Sequence, residues 1–210
     1  MTFKRSLIPC LVRCIGFGLL LLAPAVGAAA GPADPRVALL DDWSHGDPTP
    51  STVYRGLLGD KSDPAVKDRL LIQVASQEWV VIDATAIADI GDLLHDFDHQ
   101  LSAYQHALTE DDHRRILAYA GPRGDLTRHD YIGRVYGPLA AIADHFGLRM
   151  LALRDGTGEA RFAVVPPATY RRWLGVKLSK GLRVEDASLE FADELAGSPY
   201  ARYLRGGSGK

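Results

Sequence analysis

The chain has 210 residues, 24 basic and 26 acidic side chains, a formal net charge of −2 and 47% apolar residues. That length suffices for one ordinary domain with its own packed core. A mildly acidic chain with no basic cluster is a poor candidate for binding nucleic acid.

Residues 1–30 read as a cleaved signal peptide. Lys4, Arg5 and Arg13 form a basic front, and Ile15 to Pro24 (IGFGLLLLAP) forms a short apolar core. Ala25 to Ala30 (AVGAAA) supplies the small residues that a signal peptidase reads, with cleavage after Ala28 or Ala30. The apolar run is short for a span of about 20 residues, so cleavage is favoured over a retained anchor. No stable membrane span is expected once the signal is gone. Cys10 and Cys14 lie before the long apolar run, which is too early for a lipid-attachment cysteine. Both leave with the signal, so the mature chain carries no disulfide and no thiolate metal site. Losing Lys4, Arg5 and Arg13 shifts the formal charge from −2 to about −5. The expected location is periplasmic or secreted.

Residues 31–51, rich in Pro, Asp and Gly and containing DDWSHGDPTP, read as an extended leader pinned to the domain by Trp43. A single domain is expected over residues 52–205, and residues 206–210 (GGSGK) as a flexible tail. Thr52 to Leu58 reads as a short helix. Asp63-Pro64 is a helix start, with Asp as N-cap and Pro as the first helical residue. Val66, Leu70, Leu71 and Val74 then share one face, so a helix is predicted from Pro64 to Ala75. Residues 79–83 (WVVID) form a β-branched apolar run and read as a buried strand.

The best-patterned stretch is Ile87 to Leu108. Ile87, Ile90, Leu94, Phe97, Leu101, Tyr104 and Leu108 recur at alternating steps of three and four, which places one apolar stripe along a helix. Thr109 with Asp112, and Thr127 with Asp130, repeat a capping-box start in which Asp replaces Glu. Ile116, Leu117 and Tyr119 give the first of these helices its apolar side. Ile132, Val135, Leu139, Ile142 and Phe146 stripe the second, and Gly137-Pro138 predicts a kink or break within it. Residues 148–165 hold two apolar runs around Asp155-Gly156-Thr157-Gly158, the signature of a β-hairpin. Short helices are predicted at Ala168 to Leu174, Leu189 to Ala196 and Pro199 to Leu204. The fold class is therefore α+β: a mostly helical single domain whose small antiparallel sheet combines the hairpin with the strand at 79–83.

Histidine is the conspicuous chemical residue. His95 and His99 stand at i and i+4 with Asp96 and Asp98 between them, a spacing that lets two imidazoles share one metal ion. His95, His99 and Asp96 form the candidate metal set, with a divalent ion as the candidate cofactor. The competing reading is a solvated face: with Leu94 and Leu101 buried, His99 and His106 point to water and His95 stands at the border. No Glu completes a metalloprotease HExxH.

Asp41, Asp42, His45 and Asp47 form a second acidic-histidine group, which could bind a metal or serve as acid and base but reads mainly as part of a soluble spacer. His129-Asp130 could pair a base with a carboxylate, yet Asp130 serves as the partner of Thr127, and neighbouring helix residues diverge by about 100°. Tyr170, Arg171, Arg172 and Trp173 suit either a binding surface or a short helix with its aromatics inward and arginines in water. GGSGK lacks the following helix that a phosphate loop needs, and no GxSxG elbow occurs.

No catalytic residues are assigned. The favoured reading is an exported, non-enzymatic protein-binding or inhibitor-like module whose partner is another exported protein, with no nucleic acid involved. The alternative is a metal-assisted hydrolase using His95 and His99.

Overall fold

The computed structural model describes residues 34–78, 80–84, 86–157 and 161–187, with His129 by its backbone alone. The expected signal peptide, Trp79, the end of the hairpin turn, the helices at 189–196 and 199–204 and the GGSGK tail lie outside the described residues.

In chain order the elements are α1 (Pro35–Trp43), α2 (Thr49–Leu58), α3 (Pro64–Gln77), β1 (Ile82–Asp83), α4 (Ile90–Ser102), α5 (Glu110–Ala120), α6 (Arg128–Gly133), α7 (Tyr136–His145), β2 (Arg149–Arg154), β3 (Arg161–Val165), α8 (Pro167–Trp173) and β4 (Arg183–Asp186). The four strands form one antiparallel sheet in the order β1-β3-β2-β4. The fold is α+β and mostly helical, as the patterning predicts. No helix among the described residues is long and apolar enough to cross a membrane.

Helices cover both faces of the sheet. Side chains alternate along a strand, so Met150, Ala152, Phe162 and Val164 enter one core with α4, α5, α6 and α7. Leu151, Leu153, Ala163, Val165 and Val184 enter a second core with α1, α2, α3 and α8. Burial on both faces explains why the hairpin strands read as continuous apolar runs instead of alternating ones. The α4 stripe is buried as predicted: Ile87, Ile90, Leu94, Phe97, Leu101 and Leu108 all join the first core, and Tyr104 packs against it. Each such aliphatic or aromatic side chain contributes about 1.5–3 kcal/mol by leaving water. The helix itself stops at Ser102, and Gln105 takes a left-handed φ of 61° just beyond it.

Several expectations are corrected. From Asp34 onward the supposed leader is not extended: it holds α1 and the start of α2. Asp34 accepts a hydrogen bond from the Arg36 backbone N–H and Pro35 follows it, the same start signal as at Asp63-Pro64. Trp43 does not lie on the surface but is 0% exposed in the second core. The break near Gly137-Pro138 falls earlier, at Arg134–Val135 between α6 and α7. Pro138 then sits in the first turn of α7, where its missing N–H costs no helix bond. Leu117 is 46% exposed and not part of the apolar side of α5, which is carried by Ile116 and Ala120. The strand β4 carries no separate signal in the sequence, because Arg183, Glu185 and Asp186 break its apolar pattern.

The strand expected at 79–83 narrows to Ile82–Asp83 for a specific reason. The register Ile82↔Phe162 would continue to Val80 opposite Val164. There the side chain of Gln100, from α4, takes over the ladder. Its Oε1 accepts the Val164 N–H at 2.7 Å and its Nε2 donates to the Val80 carbonyl at 3.3 Å.

Candidate functional site

Among the described residues, two concave surfaces that bring polar groups together lie on different elements. The first joins the two histidine groups of the sequence. Ser44 ends α1, and His45 follows with a left-handed φ of 56°, a conformation in which His, Asn and Asp are enriched among the non-glycine residues. It places the His45 ring edge-on to Tyr104, with centroids 4.7 Å apart. His45 and His99 then line one pocket of about 170 Å³ together with Ser44, Asp47, Glu78, Gln100 and Ser102. His45 is exposed as a residue, yet its ring is crowded: burial, with the nearby His99 second, holds its pKa below the usual 6.5. Tyr104 is half-buried, its hydroxyl donates to the Val164 carbonyl at 3.2 Å, and burial pushes its pKa up.

The residues singled out by sequence divide. His99 reaches this pocket, whereas His95, exposed on α4, is not among its lining residues. Asp96 is half-buried. Burial raises its carboxyl pKa and Asp92 adds to the rise, against the pull of His95 and His99. Asp98 accepts the Leu108 backbone N–H at 2.6 Å and so fixes the loop after α4. Among the described residues no three His, Cys, Asp or Glu side chains are grouped to hold a metal ion. His106 stacks on Phe146 at 4.4 Å.

The Asp41–Asp47 group disperses. Asp42 accepts the Trp173 indole N–H at 2.6 Å and pairs with Arg172 at 2.8 Å, joining α1 to α8. Asp41 pairs with Arg55 at 3.6 Å, and Asp47 accepts the Thr49 N–H at the start of α2. Asp130 accepts the Thr127 hydroxyl hydrogen at 2.7 Å, and the Thr127 oxygen accepts the Asp130 N–H, as the capping reading requires. Trp173 is buried, Arg171 and Arg172 are exposed, and the Tyr170 hydroxyl donates to Asp186 at 2.7 Å. Burial and that carboxylate push the Tyr170 pKa up to about 12.

The second surface has no counterpart in the sequence reading. A groove of about 620 Å³ runs between the N-terminal turn of α3 and the turn Leu178–Gly181 that leads into β4. Its wall is Arg36, 4% exposed. The Arg36 guanidinium pairs with Asp34 and Asp68 and donates to the Leu178 carbonyl at 3.3 Å. Asp68 also accepts from the Ser179 hydroxyl, and the Ser179 oxygen accepts the backbone N–H groups of Gly181 and Leu182 at 3.0 Å each. Burial alone would raise the Asp34 pKa, but the hydrogen bonds from Arg36, with its charge, bring it below the usual range. The groove was hidden from sequence reading because it depends on contacts between Arg36, Asp68 and Ser179, which no local pattern connects. No family model matches this chain, and no curated protein or solved structure matches it.

Proposed function

We propose that this chain is an exported, periplasmic or secreted binding protein without catalytic activity, and that it grips a loop of another exported protein in the groove beside α3. The observation that carries the reading is the groove's construction. Its volume of about 620 Å³ gives room for several side chains of a partner loop. Its apolar lining includes Pro64, Ala65 and Leu178, and its charged wall is fixed by the Arg36–Asp68–Ser179 contacts. A wall already held in place loses little freedom on binding, which favours affinity. The Asp34, Arg36 and Asp68 charges are engaged with each other, which suits recognition better than proton transfer or nucleophilic attack. Exposed Lys180 at the rim offers a contact for an acidic side chain of the partner.

Ala65 is exposed on the first turn of α3 and lines the groove, so Ala65→Trp fills it without entering a core. The test is capture from periplasmic extract by wild-type chain and by Ala65→Trp. A stoichiometric partner recovered by the wild type and lost by the variant supports the reading. Recovery of no such partner, or equal recovery by both proteins, rejects it.

A further inference from the structure

We propose that the pocket shared by His45 and His99 binds one divalent transition-metal ion, with those two imidazoles as its protein ligands. This site is separate from the groove, and it shares only His99 with the His95, His99 and Asp96 set. The two histidines come from different parts of the chain, the end of α1 and the last turn of α4, and the fold brings them to one pocket. The charged side chains lining that pocket are the carboxylates of Asp47 and Glu78, and neither Lys nor Arg is among its lining residues. A cation is therefore favoured there and an anion is not. Imidazole nitrogen supported by carboxylates selects zinc, copper or nickel over magnesium or calcium.

Size points the same way. About 170 Å³ holds an ion with several waters, whereas pockets for organic ligands start at about 300 Å³. With no third His, Cys, Asp or Glu grouped with them among the described residues, the remaining coordination positions go to water, bridged to Asp47 and Glu78.

The test uses the full chain prepared without an affinity tag and Cu(II) alone as the probe, read by electron paramagnetic resonance and by competition with a chelator of known affinity. The expected result is one Cu(II) per chain with the nitrogen signature of two imidazoles. His45→Asn and His99→Gln should each weaken binding by about tenfold or more, and His95→Gln should leave it unchanged. Asn tolerates the left-handed backbone, so His45→Asn keeps the fold, which its thermal melt checks. A one-imidazole signal, unchanged affinity in His45→Asn, or an equal loss in His95→Gln overturns the assignment.

Discussion

Gln100 hydrogen-bonds the backbone of Val164 as a neighbouring strand would, with its side-chain oxygen 2.7 Å from the Val164 nitrogen. Gln100 is 3% exposed on an otherwise apolar helix face, and its amide nitrogen also satisfies the Val80 carbonyl. Gln100→Leu keeps the volume but removes both bonds, leaving a backbone donor and an acceptor buried together. A loss of about 2–4 kcal/mol is expected, since each orphaned group costs about 1–3 kcal/mol. Urea unfolding measures it, and a loss below about 1 kcal/mol would show that water or a local shift replaces the amide.

The Arg36 cluster should behave as a coupled unit. Asp68→Ala leaves a buried guanidinium short of one carboxylate and frees the Ser179 turn, so a loss of about 3 kcal/mol is expected. Adding Arg36→Met to Asp68→Ala should recover part of that loss, because the uncompensated charge goes with it. A double-mutant cycle from denaturant unfolding gives the coupling. Strict additivity would mean that the two side chains do not depend on each other.

Acid should weaken the fold partly through His45. Its pKa is lowered in the folded state by burial and by His99, so the unfolded chain binds more protons between that lowered value and about 6.5. Stability from this group rises with pH across that window and is complete above it. His99, Asp47, Glu78 and Tyr104 share its surroundings. Asp96, whose pKa is raised, has the opposite sign: its contribution is present in acid and is lost as pH rises through the raised value. Subtracting the His45→Asn stability curve from the wild-type curve isolates His45. The difference should favour wild type more at about pH 7.5 than at about pH 5, and a flat difference would exclude the effect.

Local signals reached most of the fold. Apolar spacing found α4 because one face of that helix is buried along its whole length. Thr109 and Thr127 marked the starts of α5 and α6 because a cap acts within one turn. Asp34-Pro35 carries the same start signal as Asp63-Pro64, but it stands in a stretch whose Pro, Asp and Gly content reads as a spacer. What stayed hidden was non-local. The shortening of β1 depends on Gln100, and β4 depends on pairing with β2 across a long stretch of chain. Of the candidate site, His99 was legible as a histidine worth testing, but its meeting with His45 was not. Asp96 and Asp98 drew attention by adjacency, although Asp98 serves the backbone of Leu108.

Helix α5 offers a paired test of how far an apolar residue type reports burial. Ile116 and Leu117 are neighbours of similar size and hydrophobicity, and both read as core from the sequence. Adjacent helix positions diverge by about 100°, so one helix face cannot bury both fully. The capping box fixes the start of α5: the Thr109 side chain accepts the Asp112 N–H at 3.1 Å, and Asp112 accepts the Thr109 N–H at 3.1 Å. Packing against the first core then encloses Ile116 with Ala120, and Leu117 faces solvent. Ile116→Ala should therefore cost about 2–4 kcal/mol through lost transfer energy and the cavity left behind. Leu117→Ala should stay within about 0.5 kcal/mol, because Ala is the better helix former and little packing is lost. Thermal and urea unfolding of the two variants separate the outcomes. Comparable losses at both positions would place Leu117 in a contact that solvent exposure alone does not reveal.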